Sequence, residues 1–169
     1  MHVGEICTKT VVTCHRDANV LDVARLMCER HVGAVVVVDD VPGGVTPVGV
    51  LTDRYLVVEV MAQGRDPRTT RVSELLLGDL ETVFDSELTF DAVWHMRRHG
   101  IRRLPVVDSQ GRLQGILCAD DVVNVLAQQL TALAGLVHGQ AERETLRDDF
   151  FKKASGAVAE RESAATTAT

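Results

Sequence analysis

Apolar positions along this chain fall into two alternating kinds of block, helical stripes and nearly continuous aliphatic runs. Val20, Val23, Ala24 and Met27 keep i, i+3, i+4, i+7 spacing and predict an amphipathic helix, with Asn19 as its N-cap and Asp22 three positions on, close to a capping box. Thr89, Ala92, Val93 and Met96 repeat that stripe. The runs Ala34 to Val38 and Leu104 to Val107 have too few polar positions to face water on either side and read as buried strands. A turn follows each, Asp40-Val41-Pro42-Gly43-Gly44 or Asp108-Ser109-Gln110-Gly111. A second strand comes next, Val48 to Leu51 or Leu113 to Leu117, so each pair is expected as a hairpin. Short helical turns at Val3 to Cys7 and Val72 to Leu76, extended pieces ending near Thr13 and Thr82, and helices beginning near Asp53 and Asp120 complete the pattern.

The two sets of elements are copies. Residues 3 to 39 realign on 72 to 108 at a constant offset of 69, pairing Val3 with Val72, Asp22 with Asp91, and Val37-Val38-Asp39 with Val106-Val107-Asp108. The first copy then carries three more residues in its turn, and the match resumes with Gly49-Val50-Leu51-Thr52 against Gly115-Ile116-Leu117-Cys118. A unit with one apolar face is most simply completed by a copy of itself, so the repeat predicts two half-domains about a pseudo-twofold axis with a cleft between them. The expected division is 1–62 for the first repeat, 63–70 for a linker rich in Gly, Pro and charge, and 71–127 for the second repeat. A helical extension is expected over 128–150, with Leu130, Leu133 and Leu136 in its stripe and Gly135 and Gly139 weakening it, and a flexible Ala/Ser/Thr tail over 151–169.

Composition narrows the class. At 169 residues with 46% apolar and 4% aromatic content, the chain fits a soluble α/β protein with an aliphatic core. No apolar run is long enough to span a membrane and no secretory signal opens the chain, so the expected location is the cytoplasm. Cys7, Cys14, Cys28 and Cys118 form no CxxC pair and are expected as structural thiols. The net charge of −6 argues against nucleic-acid binding. Enzyme signatures are missing: there is no nucleophile elbow, Walker loop, GxGxxG turn or placed carboxylate pair, so no catalytic residue and no enzyme are expected. His95 and His99 lie four apart on one helix, a metal-compatible spacing, but Met96-Arg97-Arg98 between them supplies no carboxylate and no third ligand is evident, so no metal is expected.

The element order, the Leu104-Pro105-Val106-Val107-Asp108 string and the Gly-apolar-apolar-Thr or Cys strand ends together resemble the CBS domain, named after cystathionine β-synthase, over residues 3 to 127. The resemblance implies an α/β (α+β) fold of two β-α-β-β-α repeats, clefts that take adenosine-containing ligands, and pairing of chains into homodimers. Its ligand signature is Gly-x-x-Ser/Thr-x-x-Asp, in which the hydroxyl reaches a phosphate and the carboxylate accepts from the ribose diol. Here Gly115 to Asp121 keeps the carboxylate as Asp121 but has Cys118 for the hydroxyl, while Gly49 to Tyr55 keeps Thr52 but has Tyr55 for the carboxylate. Neither copy is complete.

Just before the buried strand the second copy reads Gly100-Ile101-Arg102-Arg103, where the first has His31-Val32-Gly33-Ala34. Arg102 and Arg103 offer forked donors to a phosphate. The expected ligand site is therefore the cleft of Asp121, Arg102 and Arg103, with Cys118, Thr82, Val83 and Thr52 as further candidates, Thr82 and Val83 toward the base. Bland roles stand beside these. Asp121 suits a helix N-terminus, Thr52 suits a cap, the arginines suit a solvated surface, and Trp94 suits packing or a dimer contact. The expected ligand is AMP, ADP or ATP, read as a regulatory signal to an unidentified effector protein, with no catalytic cofactor. The alternatives are a scaffold with decayed sites, or a sensor of S-adenosylmethionine, NAD or a cyclic dinucleotide.

Overall fold

The computed structural model describes residues 1–76 and 78–136. It contains two separate three-stranded sheets of the same design. In the first, β1 (Thr13–His15) runs parallel to β2 (Ala34–Val41), which pairs antiparallel with β3 (Gly44–Thr52). In the second, β4 (Val83–Phe84), β5 (Arg103–Val107) and β6 (Leu113–Cys118) repeat that order. The parallel step in each sheet requires a crossover, supplied by α2 (Val20–Arg30) and α4 (Thr89–His99). Asn19 caps α2 by accepting from the Asp22 N–H at 2.9 Å, as its sequence position predicts. The predicted stripes turn inward in part: Val20, Val23 and Met27 of α2, and Thr89, Ala92 and Met96 of α4, are buried, whereas Val93 is half-buried and Ala24, at the edge of its stripe, is exposed.

The first hairpin is longer than its apolar run predicts. Beyond a bulge at Val37/Val38 the ladder continues through Asp39↔Thr46 and Val41↔Gly44, so the extra residues of the first copy extend two strands instead of enlarging the turn. The tight turn leaves only Pro42 and Gly43 between them. After β3, α3 (Asp53–Leu56) passes into a π-helical turn over Val57–Met61.

Each copy's opening segment packs on the other copy. The helix α1 (Val3–Ile6) donates from Val3 N–H to Glu87 O at 2.9 Å and from Gly4 N–H to Asp85 O at 2.8 Å, beside β4. The 3-10 turn Val72–Leu75 makes the equivalent two bonds to the first copy, Val72 N–H to Ala18 O and Ser73 N–H to Arg16 O, each at 2.9 Å. Val72 and Leu75 join Val23, Val35, Val37 and Leu51 in the core of the first half.

Residues 1–123 form one compact unit, and 124–169 belong to a second. A helix, α5, covers residues 119–136. In the second unit Leu130, Leu133 and Leu136 are exposed. The expected remainder of the helical extension and the flexible tail lie outside the described residues. No helix among the described residues is long and apolar enough to cross a membrane.

Candidate ligand-binding site

The exchange of opening segments builds two related clefts. The first, of about 250 Å³, lies between Gly49 and Val50 of β3, the stretch from Leu75 to Glu81, and Ile101 and Arg103 of the second copy. The second, of about 230 Å³, lies between Ile116 and Cys118 of β6, the stretch from Thr8 to Val12, and Val32 to Ala34 of the first copy. The offset of 69 maps Val32 onto Ile101 and Ala34 onto Arg103, so the two clefts are the same construction with different side chains. Each motif glycine has a packing reason. A Cβ at Gly115 would lie 2.7 Å from Cys7 Sγ and 2.9 Å from the Thr8 carbonyl oxygen, and at Gly49 the Leu76 side chain already fills that space.

The lining electrostatics differ. The first cleft sets Asp79 and Glu81 beside Arg103, and Tyr55 closes its wall by donating from its hydroxyl to Leu75 O at 2.9 Å. Arg103 also lines the second cleft, where Thr8 and Thr10 contribute hydroxyls and no lining residue is a carboxylate. The second cleft favours an anion more than the first does, because its lining residues include a guanidinium and no carboxylate, although the Asp53 carboxylate lies close by, behind Gly33.

Of the residues singled out in the sequence, Arg103 and Cys118 come together in the second cleft, as cross-strand partners at the ends of β5 and β6. Burial, with Asp121 nearby, raises the Cys118 thiol above its ordinary range despite a hydrogen bond from Arg103, so it is a neutral group. Asp121 is half-buried at the first turn of α5, where its carboxylate accepts from Cys118 N–H at 2.9 Å. That bond ties Asp121 to the cleft rim and also caps the helix. Arg102 is exposed and outside both linings, its carbonyl accepting from Ala119 N–H at 2.9 Å. Thr52 caps α3 by accepting from Tyr55 N–H at 3.1 Å.

Thr82 and Val83 do not join Asp121. Val83 is 2% exposed within β4, and neither Thr82 nor Val83 is among the residues lining either cleft. The residues that take their place in the second cleft are Thr8, Thr10, Val11 and Val12, from the first copy's opening segment. The sequence carries no signal for this exchange, because an offset records likeness and not which copy packs on which.

The CBS domain family model matches twice, over residues 3–62 and 72–128. The CBS domain-containing protein YhcV of Bacillus subtilis is 36% identical over 139 residues, covering 80% of this chain and 95% of that protein. The chain spans 61% of the length of an archaeal relative from Methanopyrus kandleri that is 33% identical over 123 residues. A CBS domain protein of Pyrobaculum aerophilum, PAE2072, solved in complex with AMP, superposes with a TM-score of 0.64 at 28% identity, covering 72% of this chain and 89% of that one. Hypoxic Response Protein I, solved with two coordinated zinc ions, gives a TM-score of 0.65 at 27% identity, covering 73% of this chain and 98% of that one. With both repeats matched in register and each sheet built in the same order, the chain belongs to the CBS domain family, as a tandem pair.

Proposed function

We propose that this CBS pair is a regulatory module that binds an adenine nucleotide, AMP, ADP or ATP, in the second cleft. The observation that carries the reading is the lining of that cleft: one guanidinium, Arg103, two threonines and no carboxylate, with Asp121 on the rim. Arg103 is the phosphate contact and Asp121 the ribose contact. The AMP-bound relative supports a nucleotide of this class. Bound ligand bridges residues of both copies and favours one relative arrangement of the halves, by no more than its difference in affinity for the two arrangements. An effector protein reads that arrangement. The functional form is a cytoplasmic homodimer, and its role is regulatory and not catalytic.

Calorimetric titration with AMP, ADP and ATP tests this. Arg103→Ala is expected to weaken binding by about tenfold or more, the loss of a charged hydrogen bond. Asp121→Asn keeps an oxygen to cap α5 but lowers affinity, which separates the ribose role from the capping role. Absence of binding by the wild-type protein at millimolar nucleotide sinks the reading.

A second reading, an interaction scaffold with decayed sites, is favoured by the first cleft, where Tyr55 replaces the motif carboxylate and is tied to Leu75. S-adenosylmethionine, NAD and cyclic dinucleotides belong in the same titration as alternative adenosyl or dinucleotide ligands.

A further inference from the structure

We propose that Glu81, His95 and His99 form a binding site for a divalent transition-metal ion, with Zn2+ the best match to the donors. His95 and His99, four apart on α4, lie on one face of the helix one turn from each other. The third group comes from the segment leading into β4. Glu81 Oε2 lies 2.7 Å from His95 Nε2, and Glu81 Oε1 lies 3.6 Å from His99 Nε2. One donor atom from each residue can be chosen so that all three lie within 4.8 Å of one another. A tetrahedral ion with bonds of about 2.0–2.2 Å needs donors roughly 3.4 Å apart, which small side-chain rotations reach from these positions.

His99 Nδ1 is 3.1 Å from the backbone carbonyl of His95, which can only accept, so that hydrogen bond uses the Nδ1 proton and leaves Nε2, 3.6 Å from Glu81 Oε1, as the nitrogen placed to meet an ion. A donor nitrogen oriented by a backbone carbonyl through its other ring nitrogen is the usual outer-shell arrangement of a metal-bound histidine. Two imidazoles and a carboxylate suit a borderline ion such as Zn2+ better than Ca2+ or Mg2+, which take oxygen donors. All three side chains are about one-third exposed, so an ion has access and a fourth position stays open to water. Glu81 also lines the first cleft, so a bound ion would remove a negative charge from its wall.

The test uses the full chain stripped of metal, titrated with Zn2+ by calorimetry and with Co2+ by visible absorption. We expect one ion per chain and four-coordinate Co2+ bands without a thiolate charge-transfer band. His95→Ala, His99→Ala and Glu81→Gln are each expected to weaken that binding by about tenfold or more. Circular dichroism and the metal-free melting temperature establish that each variant is folded, and His95→Gln replaces His95→Ala if it is not. Failure to bind either metal overturns the proposal. So do a thiolate band from Co2+, and affinity unchanged in the folded His95 and Glu81 variants.

Discussion

Two positions related by the repeat occupy the same strained conformation with different residues. His31 ends α2 at φ 52° and Gly100 ends α4 at φ 66°, both in the left-handed region. A non-glycine residue there costs about 1–2 kcal/mol in sterics, partly offset by the entropy glycine loses on folding. His31→Gly is therefore expected to stabilise the protein by about 0.5–1 kcal/mol, and Gly100→Ala to destabilise it by a similar amount, both measured by urea unfolding. A buried thiol gives a pH signature. Burial pushes Cys14 from its ordinary 9.0 up to about 11. Between those values the unfolded chain has released the proton and the folded one holds it, so stability falls as pH rises through that window. Burial raises Cys118 and Tyr55 as well, which act in the same direction. The melting temperature is expected to drop from pH 8.5 to 10.5, with a shallower slope in Cys14→Ala; an identical slope would count against the assignment. At this scale the sequence was legible where function rests on local spacing: Asn19 and Thr52 were readable as caps. Glu81 was not readable as a partner of His95, because 14 residues separate them and only the turn into α4 brings them together.

The opening segments are the elements on which the two halves depend. Val3 is fully buried, and α1 packs beside β4 and β6 of the other copy. The strand-like bridge Thr8↔Ile116 continues that docking, with N–H to carbonyl distances of 3.0 and 2.9 Å. Gly115 permits it by leaving room for Cys7 and the Thr8 carbonyl. Gly115→Ala is expected to cost about 1–3 kcal/mol, because a backbone oxygen cannot move aside as a side chain can. Gly49→Ala is expected to cost less, since its obstacle is the end of the Leu76 side chain. Val3→Ala, at about 2 kcal/mol, should speed hydrogen exchange in β4 to β6 more than in β1 to β3. Protection lost first in β1 to β3 would refute the exchanged packing. The hydrophobic pattern made the strands, helices and repeat legible. It did not reveal the long first hairpin, whose outer rungs, Asp39↔Thr46 and Asp40↔Val45, carry polar and half-exposed residues without the apolar run that marked the inner ones.

At the scale of the whole molecule, aromatic residues are scarce, yet Phe90 and Trp94 stand 62% and 63% exposed on α4. They are four apart and so share one helix face, with the Arg97 guanidinium 5.2 Å from the centre of the Trp94 ring. Large aromatics and arginine are the residue types enriched at the centres of protein interfaces. The repeat sharpens the point, because the equivalent positions on α2 are Leu21 and Arg25, and Arg25 pairs with Asp22 at the surface. Only one of the two otherwise matched helices carries an aromatic face, which an isolated pair has no need of. A second copy of this chain is the expected occupant, as the homodimer reading requires, with α4 meeting α4 about a twofold axis. Sedimentation equilibrium should then give twice the chain mass of 18.4 kDa. Phe90→Glu with Trp94→Glu should give the single-chain mass with the circular dichroism spectrum retained, since neither side chain contributes to the core. A wild-type protein that sediments as one chain at micromolar concentration removes the dimer. A double variant that still sediments as two chains moves the interface to another apolar surface, such as Val57, Val58 and Met61 in the π-helical turn or Leu130, Leu133 and Leu136 of α5.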